Sequence, residues 1–168
     1  ASSMILNGII TDGGNAYSLT KAGAGTITLG ANNSFSGGVT INTGTLAALN
    51  AGALGTAGAI AINNAAILSM NFGGNTLVNS SNITMGATAA LTSTAAAAVT
   101  DVLNNMITLN GTHTFTSTTA TAQLTLNGDI TNSATNLTIT GSGNTLITGT
   151  IGSNAGGIDE FVIGDSVG

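Results

Sequence analysis

Short runs in which apolar and polar residues alternate recur along the whole chain, and most of them end in glycine or asparagine. Examples are Thr26-Ile27-Thr28-Leu29-Gly30, Ile107-Thr108-Leu109-Asn110-Gly111 and Leu137-Thr138-Ile139-Thr140-Gly141. A period of two with many β-branched residues is typical of strands that have one buried face. The pattern predicts an all-β protein whose aliphatic side chains point inward and whose threonines point outward.

No stretch of the chain has a convincing helical period. The best candidate is the alanine-rich segment from Thr94 to Val99, but neither a capping residue nor an amphipathic stripe accompanies it. We therefore expect a strand or a tight corner in this segment rather than a helix.

The alternating runs also resemble one another. The run from Leu6 to Thr11 is similar to the run from Leu126 to Thr131, and the runs that begin at Ile27 and Ile107 look like further copies of the same unit. Short strands that repeat at periods near 20 residues indicate a solenoid, whereas an antiparallel sandwich has no reason to reuse one strand sequence. We expect a parallel β-helix (β-solenoid) of about seven turns that forms a single domain over residues 1–168.

The composition has a physical explanation in such a fold. Of 168 residues one is basic and six are acidic, so 4% of the chain is charged and its net charge is −5. Successive turns of a β-helix lie about 4.8 Å apart, so stacked like charges would repel, whereas stacked threonines and asparagines hydrogen-bond to their copies. A nucleic-acid partner is excluded, because neutralising phosphates needs a basic patch and Lys21 is the sole lysine or arginine.

The absence of cysteine and of any long apolar run excludes two further classes of structure. The chain has no cysteine, which excludes disulfides and thiolate metal sites. Between Lys21 and Asp101 the longest apolar run extends from about Ala95 to Val99, far short of the roughly 20 residues that a membrane-spanning helix needs. We expect no transmembrane segment and no cofactor.

One segment, residues 19–46, has a more specific pattern. It contains Leu-x-Lys-x-Gly-x-Gly-Thr, then an aromatic residue with paired glycines, then a Thr-Ile pair and a closing Gly-Thr-Leu. This order resembles the autotransporter-associated β-strand repeat, with Ile27 in place of a leucine and Phe35 in place of a tyrosine. The resemblance implies a right-handed β-helix that is secreted or displayed on a Gram-negative-type surface, and it supplies no catalytic residues. The matching positions are Lys21, Gly23, Gly25, Thr26, Leu29, Phe35, Gly37, Gly38, Thr40, Ile41, Gly44, Thr45 and Leu46.

Residues that could perform catalysis are few. His113 is the only histidine, and its parity with Leu109 and Phe115 predicts a structural side chain that points inward. Asp12 and Asp129 occupy what look like equivalent turns instead of lying side by side, so they do not form the carboxylate pair that polysaccharide hydrolysis needs. We therefore expect no enzymatic activity.

The remaining acids offer one cluster. Asp101 is isolated in the sequence, whereas Asp159, Glu160 and Asp165 lie close enough together to hold a cation. A solvated turn is the favoured interpretation of that cluster, so we expect no metal site.

Threonines are unusually dense in the second half of the chain and are predicted to form an outward array. On a flat parallel sheet such an array can order water, as in ice-binding β-solenoids. Simple β-propensity with threonine ladders on a solvent-facing sheet is the favoured alternative. The array consists of Thr112, Thr114, Thr116, Thr138 and Thr140.

The ends of a β-helix are its unpaired turns. Here residues 1–10 carry no charged side chain and residues 161–168 contain one more apolar strand, so copies of the chain could stack head to tail. An excerpt of a longer passenger would look the same. We predict an extracellular structural protein, secreted or on a bacterial cell surface, that is a stiff rod and self-associates end to end into a fibre. The alternatives are a monomeric adhesin stalk that contacts a host or neighbouring cell, and an ice-binding β-solenoid. The predicted assembly residues are Ile5, Leu6, Ile9, Ile10, Phe161, Val162 and Ile163.

Overall fold

The alternating runs form strands that pair with the turns before and after them. A computed structural model describes residues 2–132, 136–153 and 160–163, and within these ranges it contains eighteen strands and no helix. The strands are β1 Ser3–Leu6, β2 Leu19–Lys21, β3 Thr26–Leu29, β4 Val39–Ile41, β5 Thr45–Ala48, β6 Ile60–Ile62, β7 Ile67–Met70, β8 Ile83–Met85, β9 Ala90–Ser93, β10 Thr100–Leu103, β11 Ile107–Leu109, β12 His113–Ser117, β13 Gln123–Leu126, β14 Ile130–Asn132, β15 Asn136–Thr140, β16 Asn144–Ile147, β17 Ile151–Ser153 and β18 Glu160–Ile163.

These strands build three parallel sheets that wrap around one core. Sheet A has the order β1-β3-β5-β7-β9-β12-β15-β18, sheet B the order β2-β4-β6-β8-β11-β14-β17, and sheet C the order β10-β13-β16. Every strand pairs in parallel with its equivalent one turn later, which is the hydrogen-bonding pattern of a solenoid. The right-handed parallel β-helix predicted from the sequence is confirmed, and its hand is that of nearly all parallel β-crossovers.

The register shows how many residues each turn takes. In sheet A, Ser3 pairs with Thr26 and Thr26 pairs with Thr45, so the first turn takes 23 residues and the second 19. Six turns separate β1 from β15, and β15 pairs with β18 one turn further on. The count agrees closely with the seven turns expected.

The cross-section of the solenoid changes along its axis. From β1 to β9 the strands belong to sheets A and B alone, and sheet C begins at β10. An isolated parallel bridge between Thr76 and Val102 marks the transition. The earlier part is therefore a two-sheet structure and the later part has three sides.

The core consists of inward columns, each built from the same position in successive strands. In sheet B one column is entirely aliphatic, and its members from Val39 to Ile130 are at most 1% exposed. Full burial of such a side chain contributes about 2 kcal/mol, so the columns are the main source of stability. The column is Leu19, Val39, Ile60, Ile83, Ile107, Ile130 and Ile151.

Two sequence-based equivalences are wrong. Leu6 ends a strand of sheet A and Leu126 ends a strand of sheet C, while the runs that begin at Ile27 and Ile107 belong to sheets A and B. The reason is that all three sides of the solenoid need the same alternation of aliphatic and small polar residues. The alanine-rich segment, in contrast, is a tight corner as expected: it lies between β9 and β10, and Ala98 has a φ of 60°.

The corners impose steric limits that explain individual glycines. Gly44 joins β4 to β5 with a φ of 70°, a conformation that side chains disfavour. A Cβ atom at this position would lie 2.5 Å from the Gly25 carbonyl oxygen and 2.6 Å from the Gly23 carbonyl oxygen. Only glycine fits where these two turns approach each other.

Replacing Gly44 by alanine is therefore expected to lower the free energy of unfolding by about 2 kcal/mol, the cost of a left-handed conformation with added overlap. Urea denaturation followed by circular dichroism measures the change. Gly8→Ala is the matched control, because no atom lies within 4 Å of a Cβ atom at Gly8. Equal stabilities of the two variants would contradict the steric explanation.

Candidate functional site

The motif of residues 19–46 contributes Lys21 and two nearby glycines to one corner of the solenoid. The side chain is 2% exposed and occupies the inward column of sheet B in which Ile41 is the next member. Its Nζ atom donates to the carbonyl oxygens of Ala22 at 3.2 Å, Gly23 at 2.6 Å and Thr43 at 2.9 Å. An ammonium group has three donors, so its hydrogen-bonding capacity is filled by backbone oxygens of two successive turns.

The glycines of the motif make this corner possible. Gly23 has a φ of 80°, which turns its carbonyl toward the ammonium group of Lys21. A side chain at Gly25 would overlap the backbone carbonyl of Ser2 in the turn above. The spacing Lys-x-Gly-x-Gly therefore encodes a corner closed by a buried cation, with room for the neighbouring turns.

The other motif residues occupy strands and the second corner. Thr26, Thr45 and Thr40 are outward, and Leu29, Leu46 and Ile41 are buried and inward. Phe35 is 2% exposed, and Gly37 and Gly38 precede β4, where a Cβ atom at Gly38 would lie 2.5 Å from the Ala59 carbonyl oxygen. All these positions have a structural part in two stacked turns.

The carboxylates of the acidic residues accept hydrogen bonds from backbone N–H groups of neighbouring turns. The Asp12 carboxylate accepts hydrogen bonds from Gly14 N at 2.9 Å, Ser36 N at 2.8 Å and Ser36 Oγ at 2.9 Å. The bond from Gly14 and then those from Ser36 keep the pKa of Asp12 below its usual value. Asp101, which is fully buried, accepts from Phe72 N at 2.9 Å and Gly74 N at 3.1 Å.

The Asp129 carboxylate also accepts a hydrogen bond from the backbone of a neighbouring turn, but it occupies a different position within its turn. Its carboxylate accepts from Thr150 N at 2.8 Å directly before β14, whereas Asp12 lies six residues before the equivalent position, Ser18. The expected equivalence of Asp12 and Asp129 is therefore wrong, although they are indeed apart. Within the described ranges no three His, Cys, Asp or Glu side chains group together as metal ligands. Asp159 and Asp165 lie outside those ranges, and Glu160 is described only through the backbone of β18.

The amino-terminal end of the solenoid exposes its core. Met4 lies in an inward column of sheet A and is 53% exposed, since β1 is the first strand of this sheet among the described residues, and Ile5 and Ile9 are 65% and 68% exposed. Leu6 and Ile10 are half-buried against the core. A cleft of about 220 Å³ is lined by Ser3 and Met4 of β1 together with Lys21. At the opposite end, Phe161, Val162 and Ile163 are placed in β18, the last strand of sheet A.

The outward side of sheet A from β3 to β15, which we term the threonine face, is rich in hydroxyl groups. Thr114, Thr116, Thr138 and Thr140 lie on it, and Thr112 is exposed in the corner before β12. Each of the six strands contributes two outward positions, and nine of these twelve carry a hydroxyl group, so the face extends well beyond the residues predicted. The nine are Thr26, Thr28, Thr45, Ser69, Thr92, Thr114, Thr116, Thr138 and Thr140.

Two features of this region were not evident from sequence: the bonding role of the acids and the extent of the threonine face. An outward row can be found from sequence only when the strand register is known. Ser36, which donates to Asp12, lies 24 residues away, and Phe72, which donates to Asp101, lies 29 residues away, so no local signal identifies these contacts.

Replacing Lys21 by methionine keeps the buried stem but leaves three carbonyl oxygens without their donor. We expect the free energy of unfolding to fall by about 2 kcal/mol, the usual cost of unsatisfied buried polar groups. Urea denaturation at neutral pH measures the change, and Thr20→Met, on the exposed side of the same strand, is the control. Unchanged stability of the Lys21 variant would show that the carbonyls do not depend on the cation.

Comparisons with known proteins agree with this geometry. No curated protein and no solved structure matches the chain. No helix in the described ranges has the length and hydropathy needed to cross a membrane. A family model, the passenger-associated-transport-repeat, matches residues 19–48, which are the two turns closed by Lys21 and Gly44. This segment of the β-helix is therefore similar to a passenger-associated repeat, in agreement with the resemblance found for residues 19–46.

Proposed function

We propose that this β-helix is a stiff extracellular stalk, on a bacterial surface or released from it, whose turns stack end to end on those of further copies. The passenger repeat supports a stalk of this kind and its extracellular location. The role is mechanical and not catalytic. The observation that carries the assembly step is the 53% exposure of Met4, which lies in a core column of β1.

Two of the three sheets can continue from one copy to the next, whereas sheet C, which begins at β10, has no partner strand in the first described turns. Sheets A and B begin with β1 and β2 and finish with β18 and β17, all parallel, so a second copy can continue each sheet in the same direction. In sheet B this continuation places Ile151 of one copy beside Leu19 of the next, in one aliphatic column. Such a contact uses different surfaces on the two partners and does not close on itself, so it propagates into a fibre.

At the amino-terminal end both charged side chains, Lys21 and Asp12, are already bonded to the backbone of the chain. Lys21 is the only cation there, and its ammonium group is already bonded to three carbonyls of its own corner and the next. The apolar side chains Met4, Ile5 and Ile9 are exposed instead. Sheet edges that lack outward charge are prone to pairing.

We expect the purified chain to form fibres as its concentration rises, measured by sedimentation velocity and negative-stain electron microscopy. Met4→Lys places a charge in the stacked core and should abolish association. Val78→Lys, at an apolar residue that is 53% exposed between β7 and β8 and far from both ends, should leave it intact. Monomers at high concentration would exclude fibre formation and favour the monomeric adhesin stalk.

A second candidate function, ice binding, is supported by the threonine face. Its two outward columns carry methyl and hydroxyl groups at strand spacings of about 4.8 Å, and none of its twelve positions is charged. A threonine hydroxyl both donates and accepts, so regular columns can hold a layer of ordered water. The interruptions at Ala47, Ile67 and Ala90 reduce this regularity.

If the face binds ice, solutions of the protein will freeze below their melting temperature, and the gap will widen with concentration. Thr116→Lys, in the face, should remove most of the gap. Thr84→Lys, on the outward side of sheet B, should preserve it. No measurable gap in the wild-type protein at millimolar concentration would rule this function out.

A further inference from the structure

His113 is a titratable side chain in the interior that no part of the proposed function uses. It begins β12, is 1% exposed and is the only histidine of the chain. Its Nδ1 atom lies 3.1 Å from the carbonyl oxygen of Ala89 in the preceding turn. A carbonyl only accepts, so Nδ1 carries the proton, and Nε2 is a bare acceptor without a hydrogen-bond partner.

Among the described residues, the inward side chains that pack against His113 from sheets A and B are apolar and do not stabilise a positive charge. In sheet A its neighbours are Ala89 on one side and Leu137 on the other. The described inward positions of the facing strands of sheet B, in β8, β11 and β14, are aliphatic or methionine.

Sheet C contributes the one ionisable group on the inner faces of this part of the solenoid, Asp101 in β10. Both of its carboxylate oxygens accept backbone donors, from Phe72 and Gly74. The other inward positions of β10 and β13 are Leu103, Leu124 and Leu126. Asp129, before β14, is exposed and bonded to Thr150 N.

Protonation at Nε2 would therefore create two problems at once. It would place a full charge in an apolar interior, and it would turn a bare acceptor into a donor with nothing to accept its proton. Burial accordingly lowers the pKa of His113, and the hydrogen bond to Ala89 only partly offsets this effect.

We propose that His113 is an acid-sensitive element of the rod: uptake of one solvent proton by its Nε2 atom opens the stack of turns between β9 and β15. The imidazolium gains water as a partner only when β12 separates from its neighbours. The opening interrupts sheet A in its interior and so divides the rod at a set position.

The direction of the pH effect follows from linkage. The pKa of His113 is lower in the folded chain than in the unfolded chain, so the folded chain binds fewer protons between the two values. The stability that neutral His113 contributes is complete above about pH 6.5 and declines as pH falls toward the folded pKa. Each unit by which the pKa is lowered makes the opened state about tenfold more populated in acid.

The first test uses the fact that the chain has one imidazole. Its proton resonance, followed by NMR in the wild-type protein, is expected to titrate at lower pH in buffer than in concentrated urea. The backbone amides of Thr114 and Phe115 are expected to exchange with solvent about tenfold faster, beyond the intrinsic change, as pH falls from about 7.5 to 5.5. Equal titration midpoints in folded and unfolded chain would overturn the proposal.

The second test compares variants by urea denaturation over the same pH range. The wild-type midpoint should fall with pH. The midpoint should no longer fall with pH in two variants, His113→Leu, which copies the neighbouring Leu137, and His113→Gln, which stays polar. The midpoint of Asp12→Asn should still fall. A fall that persists in both His113 variants would place the acid-sensitive group elsewhere and contradict the proposal. The tests use monomeric chain, so their outcome is independent of fibre formation.

Discussion

Parallel stacking in register is the constraint on which the whole molecule depends. Each residue of a strand lies about 4.8 Å from the residue at the same position in the next turn. Each side chain must therefore be compatible with the side chains at the same position in the turns before and after it. The two charged side chains that point into the described core obey this constraint in the same way. Lys21 is the first member of its column and is followed by Ile41, and Asp101 is the first of its column and is followed by Leu124. No column therefore holds two charges, and each of these charges is bonded to backbone.

Stacking also explains why uncharged polar residues are tolerated in such numbers. Asn63 donates to the side-chain oxygen of Asn42 at 2.7 Å, one turn away, and the Thr108 and Thr131 hydroxyls lie 3.2 Å apart. A ladder of three side chains joins Asn104, Asn127 and Thr148 across the last turns of sheet C. Amides and hydroxyls can serve as donor to one copy and acceptor to another, which an ammonium or carboxylate group cannot do.

The parts of the fold that depend on adjacent residues could be predicted from the sequence. Alternation identified strands, separated inward from outward positions and placed His113 in the interior. The side of the solenoid to which a run belongs depends on the corners, whose lengths vary: the turn from Thr26 to Thr45 takes 19 residues and the turn from Ala90 to Thr114 takes 24. Sequence similarity therefore equates Leu6 with Leu126 although they lie in different sheets. Lys21 could have been recognised as a corner residue, since it occupies an inward position just before two spaced glycines.

The change from two sheets to three has a mechanical consequence. A pull along the axis is resisted by the hydrogen bonds between successive turns, and these belong to two ladders up to β9 and to three from β10 onward. The load on each ladder is consequently greater in the earlier part. Under tension the turns of the earlier part should separate first, and separation should then proceed toward the three-sheet part. The order in which the turns separate is therefore set by the number of sheets that join them.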